Sequence, residues 1–506
     1  MSSAAAALVA AALLLIPALS PIALAAVVPA GPQWSACDTS PGPVECTELL
    51  VPLDHRDPQS PSIGLPVRRL PATDERARIG VLVTIAGGPG QRGTLGVGPG
   101  VHGATIEARF DIVSWDPRGT AGDTLIDCIP QWDPFAGLDR TPDTRIERLA
   151  LDARTRTLAV HCRERHANVL PYITTYDAAL DLERLRRMLG EPRISLLGSS
   201  YGSRVAATYA TLFPEHVRAV VLDGYSDPNR SPGRLELEQA AAYERQLEAL
   251  LDGCADDPAC SLASGGDPGV ALDTLLASLD RAPLPAGAAG RLTQSDAYEA
   301  IVGYLTRDRE ARGRLLEALG SALLGDGEPL LGLAARVRSD YESSGLTMGA
   351  FMAIHCADTA AWWSGRSDDE IDRLTERIHR VAPRLGPFLW SPPLAADLPA
   401  VGLCAMQPLR STNGPSSPRE RVDAAGAGPV LVLTSSGDPA TPRSAARRAL
   451  QDLADATLLT LDADTHVAYL SARRDPGRPA YACLLDAVEA FLIDLERPAQ
   501  SRCADA

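Results

Sequence analysis

Ser200 stands at the centre of Gly198-Ser199-Ser200-Tyr201-Gly202, after an apolar run, Ile194-Ser195-Leu196-Leu197, and before a helix-like run from Ser203 to Ala210. A serine hydroxyl becomes a useful nucleophile only when a neighbouring base takes its proton, and its usual work is then acyl transfer at a carbonyl carbon. G-x-S-x-G between a strand and a helix is the spacing of a nucleophile elbow, whose sharp turn lifts the hydroxyl clear of the sheet edge. Strand and helix can approach that closely only if Gly198 and Gly202 carry no side chains. The same letters could form an ordinary Gly/Ser turn, but the strand before and the helix after favour the elbow.

The hydroxyl needs a base, and the base needs an acid behind it. Of eight histidines, only His466 lies beyond the last strand-like runs, in the loop Thr465-His466-Val467. Asp438 follows the strand-like Pro429 to Thr434 directly, which is where the acid belongs in the chain order Ser, Asp, His. Asp223, at the end of the strand after the elbow, is its rival, while Asp462 and Asp464 sit too near His466 in sequence to back its ring. Ala86-Gly87-Gly88-Pro89-Gly90 ends another buried-type strand, and small residues there let the backbone approach a tetrahedral oxygen. The amides of Gly88 and Tyr201 are the expected oxyanion donors. His466 would take the Ser200 proton, return it to the leaving group, and then activate water against the acyl-enzyme.

These groups meet only if the right elements carry them. Gly80 to Ile85, Phe110 to Trp115, Ile194 to Leu197 and Ala219 to Leu222 read as buried strands, with Ile63 to Leu70 as an earlier one. Ala179, Leu182, Leu185 and Leu189 share a helical face behind a capping Thr174 or Thr175. This alternation predicts an α/β fold: a mostly parallel central sheet with helices on both faces. From Pro232 to Gly426 strand signals nearly vanish, and Leu235 to Leu251, Asp296 to Thr306, Ala311 to Leu324 and Asp368 to Val381 read as helices. The expected organisation is a leader at 1–25, a first core part at 26–231, an inserted helical cap at 232–426 and a second core part at 427–506. Asp116 and Arg118, after the third strand, are expected to form a structural turn and ion pair.

Composition narrows the function. Forty-eight basic against 64 acidic residues leave a net charge of −16, which opposes a nucleic-acid surface. Every basic residue is arginine, so a phosphate loop of the G-K-[ST] type, a Schiff-base lysine and a Ser-Lys dyad are all excluded. His161-Cys162 with His166 has no second cluster to complete a metal site. The uncharged leader, with Ala23-Leu24-Ala25 as a cleavage pattern, predicts secretion, although it lacks a basic n-region. Pro17 and Pro21 oppose a stable membrane span. Ten cysteines in an exported chain predict five disulfides. Sequence proximity suggests Cys37–Cys46, Cys128–Cys162, Cys254–Cys260, Cys356–Cys404 and Cys483–Cys503, though proximity does not fix connectivity.

In this order and spacing, Gly87-Gly88-Pro89-Gly90, Asp116-Pro117-Arg118-Gly119, the Ser200 pentapeptide, Asp438-Pro439-Ala440-Thr441-Pro442 and His466 resemble secreted α/β-hydrolases of the tripeptidyl aminopeptidase type, related to prolyl aminopeptidases. The stretch from about Gly402 to Cys503 resembles that family's TAP-like C-terminal module, including its Cys483–Cys503 pairing. The resemblance implies an α/β-hydrolase fold and a serine exopeptidase that cleaves short peptides from a free N-terminus, with the cap limiting access. Ala86 and Val467 depart from residues common in relatives, which bears on pocket shape and removes no catalytic group. An aminopeptidase should hold the substrate α-amine with a cap carboxylate; Asp358 is the candidate, weighed against a plain surface charge. Trp362, Trp363 and Trp390 either line a hydrophobic subsite or form cap core. The expected partner is a peptide with a free N-terminus, with no cofactor, metal or nucleic acid. Two other readings stay open: a carboxylesterase or lipase on the same triad, and a non-catalytic binding protein on a hydrolase scaffold.

Overall fold

A computed structural model describes residues 32–37, 44–130, 134–135, 137–263, 265–363, 366–390, 404 and 421–505. The leader and the start of the TAP-like stretch near 402 lie outside these residues. Among the described residues there are twelve strands: β1 (Ser35–Ala36), β2 (Glu45–Pro52), β3 (Ser62–Leu70), β4 (Gly80–Ile85), β5 (Phe110–Trp115), β6 (Ile194–Ser199), β7 (Val217–Asp223), β8 (Leu284–Pro285), β9 (Arg291–Leu292), β10 (Val430–Ser435), β11 (Ala456–Leu461) and β12 (Arg502–Cys503). Ten of them form one sheet in the order β1-β2-β3-β5-β4-β6-β7-β10-β11-β12. The three pairings from β1 to β5 are antiparallel, and all those from β5 to β12 are parallel.

Strands β4, β5, β6 and β10 are buried at every position, which is why they lack the regular apolar–polar alternation of a half-exposed strand. Their side chains still divide by parity. Val81, Val83 and Ile85 pack with Leu182, Val205 and Ala446 on one face; Leu82, Leu197, Leu431 and Leu433 pack with Ile106, Tyr469 and Phe491 on the other. Helix Thr175–Leu189 covers the first face, begun by a Thr174/Asp177 capping box and ended at Gly190 with φ 72°.

Between β7 and β10 the chain builds a second, sheet-independent core. Helices Pro232–Ala255, Pro268–Arg281, Gln294–Leu305, Arg309–Leu323 and Glu328–Ser343 bury Leu247, Leu272, Ile301, Leu315 and Leu330 against one another. The two-residue strands β8 and β9 form a small hairpin inside it. Helix Met348–Trp363 packs elsewhere: Met352 and Ile354 join Ile126, Leu151 and Leu170 from the segment between β5 and β6. The disulfides Cys37–Cys46, Cys128–Cys162, Cys254–Cys260, Cys356–Cys404 and Cys483–Cys503 are all present.

The expected ion pair between Asp116 and Arg118 does not form. Asp116 accepts from Arg92 Nε at 2.8 Å and from the Thr94 amide and hydroxyl at 2.9 and 2.8 Å. Arg118 instead forks onto Asp181 at 2.7 and 2.6 Å and donates to the Leu53 and Tyr172 carbonyls. The turn between them sends the two side chains in different directions, so each rivets a separate loop to the core.

Candidate active site

Ser200 is the residue between β6 and helix Tyr201–Leu212, with φ 54° and ψ −123°, a region that non-glycine residues rarely occupy. Its neighbours impose this. A Cβ on Gly198 would collide with the Gly202 backbone, and one on Gly202 with the Ile85 carbonyl of β4. The turn is closed by hydrogen bonds from the Ser200 amide to the Asp223 carbonyl at 2.7 Å and from the Ser203 amide to the Ser200 carbonyl at 2.9 Å.

The structure brings Ser200, His466 and Asp438 together from three distant parts of the chain. Ser200 Oγ lies 3.0 Å from His466 Nε2, and His466 Nδ1 lies 2.9 and 3.1 Å from Asp438 Oδ2 and Oδ1. A carboxylate can only accept, so it fixes the imidazole proton on Nδ1 and leaves Nε2 free to take the serine proton. Asp438 has no exposed side-chain surface. Its remaining lone pairs are used: Oδ1 accepts from the Ala440 and Thr441 amides at 2.9 Å each, and Oδ2 from Thr441 Oγ1 at 2.8 Å. Burial pulls the His466 imidazole down, but the charge and hydrogen bond of Asp438, with Asp223 adding to them, hold it above its ordinary value.

The other acids have different work. Asp223 points under the histidine loop, where it accepts from the Ala468 and Tyr469 amides at 2.7 and 3.0 Å and so holds the start of helix Ala468–Arg474. Burial pushes its carboxyl up to about 7. Asp462 takes Arg502 and Ser436, and Asp464 lies 3.5 Å from Arg312.

Gly87 lies against the nucleophile, where a Cβ would stand 3.1 Å from Ser200 Cβ, and Gly88 follows it with φ 103°. Tyr201 holds the first helical position, where an amide has no intrahelical acceptor. Gly88, Ser200, Tyr201 and His466 all border one cavity of about 870 Å³ between the sheet edge and the cap. Asp358 also borders it but is not a surface charge. Its carboxylate accepts from the Thr175 amide at 2.8 Å and hydroxyl at 2.6 Å, and Arg204 lies 3.9 Å away. Burial raises its carboxyl above the ordinary range. Trp363 and Trp390 pack with Ile371 and Ile378 as cap core, with Trp362 at the margin; Trp390 also reaches the cavity.

Glu236, on helix Pro232–Ala255, was not legible as a site residue. It faces the cavity one helical turn before Gln239, whose side chain donates to the Ala440 carbonyl at 2.7 Å, beside Asp438. Its neighbour Glu238 is taken by Arg230 and Arg448. On Glu236 burial alone acts, with no charged or hydrogen-bonding partner among the described residues, and it pushes the carboxyl up to about 7. A carboxylate on the apolar face of an otherwise amphipathic helix was the available signal.

Residues 81–264 match the alpha/beta hydrolase fold family, and residues 394–503 match the TAP-like protein family. The chain is 30% identical over 496 residues to Serine protease Hip1 of Mycobacterium tuberculosis, covering 91% of this chain and 88% of that one. It is 30% identical over 470 residues to a tripeptidyl aminopeptidase of Streptomyces coelicolor, covering 88% and 82%. It is also 30% identical over 518 residues to Carboxylesterase B of Mycobacterium tuberculosis, covering 95% and 91%. The chain therefore belongs to the serine protease and esterase family of α/β-hydrolases that carries a TAP-like C-terminal module.

Proposed function

We propose that this chain is an exported serine exopeptidase that holds short peptides by their free N-terminus and cleaves them through Ser200, His466 and Asp438. Ser200 Oγ attacks the scissile carbonyl carbon as its proton passes to His466 Nε2. The tetrahedral oxyanion is met by the Gly88 and Tyr201 amides. His466 then gives the proton to the leaving amine, the C–N bond breaks, and water repeats the sequence on the acyl-enzyme. Five disulfides support export, since such bonds persist in oxidising compartments.

The observation that carries the peptidase reading is Glu236: an unpaired carboxylate in the wall of the cavity that Ser200 also borders. A half-buried carboxylate facing the cavity with no partner among the described residues is free to take a substrate ammonium, which would supply the missing charge. Asp358 is the poorer choice for that task because Thr175 already occupies both its oxygens. The carboxylesterase reading is favoured by the likeness to Carboxylesterase B, and an ester has no ammonium to place.

A peptide mixture with free and acetylated N-termini, digested by wild type and Ser200→Ala and read by mass spectrometry, tests this. Cleavage of free peptides only, lost in Ser200→Ala, is expected. Equal cleavage of acetylated peptides, or turnover confined to short p-nitrophenyl esters, refutes the exopeptidase reading.

A further inference from the structure

The base loop is clamped from two sides, and one side is the cap. Val467, next to His466, has φ 59° despite its branched side chain, so the loop needs external support. Asp223 supplies the support from the sheet domain. From the cap, the carbonyl of Thr306, the C-terminal residue capping helix Gln294–Leu305, accepts the His466 amide at 3.0 Å. Thr306 itself borders the cavity. The cap touches the acid loop as well, through Gln239 and the Ala440 carbonyl.

Arg312 organises the turn that offers the Thr306 carbonyl. Its side chain is only 6% exposed. It donates to the carbonyls on either side of Thr306, from Nη2 to Leu305 and from Nε to Arg307 at 3.1 Å, and from Nη1 to Gln246 Oε1 at 2.9 Å. The approach to Asp464 at 3.5 Å counts for less, because that carboxylate is 56% exposed and screened by water.

We infer that Arg312 is a positioning residue for the base: it fixes the turn at residues 305–307 so that the Thr306 carbonyl holds His466, and Ser200 is activated only while the cap is seated. Displacing the cap removes an acceptor from the His466 amide and leaves the strained Val467 to relax. Cap position and base orientation are therefore one equilibrium. The inference rests on His466 acting as the base.

The test uses Arg312→Gln in the full chain, with Arg314→Gln as the control on the same helix, where among the described residues the arginine pairs with exposed Glu310 alone. The readouts are steady-state hydrolysis of p-nitrophenyl acetate, the rate of Ser200 capture by a fluorophosphonate, and hydrogen exchange at the His466 amide. In Arg312→Gln, kcat and the capture rate are expected to fall together by roughly ten- to a hundred-fold, the scale of a misplaced catalytic group, with KM nearly unchanged. The His466 amide should exchange faster, and Arg314→Gln should match wild type throughout. If Arg312→Gln does not fold, Arg312→Lys takes its place, since it keeps the charge but lacks the planar fork that spans two carbonyls. Unchanged kcat with faster exchange overturns the inference, as does unchanged exchange. A wild type inert to the fluorophosphonate sinks the proposed function itself, and amide exchange then decides the coupling alone.

Discussion

Asp438→Asn exchanges one oxygen for an NH2 group and leaves the volume of the acid turn as it was. The Ala440 and Thr441 amides both point at Oδ1, at 2.9 Å, so Oδ1 is the oxygen an asparagine must keep. Its NH2 then faces Thr441 Oγ1 and His466 Nδ1, where Oδ2 had accepted at 2.8 and 2.9 Å. The threonine hydroxyl can rotate and accept. The imidazole can accept at Nδ1 only by moving its proton to Nε2, and that tautomer cannot take the proton of Ser200. The expected result is a fall in kcat of about 10⁴, or roughly 5.5 kcal/mol of transition-state stabilisation, with KM and fold retained. Asp223→Asn is the matched comparison, because Asp223 touches two backbone amides and not the ring. It leaves one buried N–H facing an NH2, which costs about 1–3 kcal/mol of stability. Its kcat should stay within about tenfold of wild type at temperatures where it is folded, since the triad hydrogen bonds are intact. Burst and steady-state kinetics on a p-nitrophenyl ester, with circular dichroism to certify the fold, read both variants. Asp438→Asn keeping a tenth or more of wild-type kcat, or folded Asp223→Asn falling as far as Asp438→Asn, would refute the assignment of the acid.

Glu236→Gln should raise KM for free-amine peptides by about ten- to a hundred-fold, the range of one lost charge-assisted hydrogen bond, and leave short esters untouched; an equal loss on both substrates contradicts amine recognition. The same variant tests linkage. With its carboxyl pushed up to about 7, folded Glu236 binds a proton that the unfolded chain has released, so this group's contribution to stability is present below the ordinary carboxylate range and lost as pH rises through about 7. Glu236→Gln should flatten that decline in urea titrations between pH 4 and 8, without abolishing it, because Asp223 is raised in the same direction. Replacing Cys483 and Cys503 by serine opens a 20-residue loop that ties β12 to helix Pro479–Asp494. Chain entropy puts the cost at about 3 kcal/mol, measurable as a lower denaturation midpoint, and an unchanged midpoint would show that the sheet edge holds without the bond.

Local chemistry made the elbow readable, since glycine spacing, strand and helix are all specified within a few residues of Ser200. His466 and Asp438 were readable by chain order, because each lies in the loop that follows a strand-like run after the cap. Position after the post-cap strand favours Asp438, while chain order alone keeps Asp223 as its rival. Both end adjacent strands, with Leu433 of β10 in register with Asp223 of β7, and only the path of the histidine loop shows which carboxylate meets the ring. Helix Met348–Trp363 escaped the periodicity reading because apolar residues surround it, as in a helix packed on several sides. Helix Arg145–His166 escaped it for the opposite reason, its many charges leaving a thin buried stripe of Leu151, Thr155, Leu158, Ala159, Cys162 and His166. Strand β2 was hidden by the prolines around it, although it pairs with β3 along its full length. Asp358 reads from sequence as a possible surface charge, since nothing near it in the chain reports that Thr175 and Tyr201 enclose it.

The most direct measurement is the site and rate of covalent capture by a fluorophosphonate, mapped by peptide mass spectrometry on wild type, Ser200→Ala and His466→Gln. The account predicts one adduct, on Ser200, absent from the first variant and formed far more slowly in the second. An adduct on another residue, or Ser200 capture that is indifferent to His466, would contradict it.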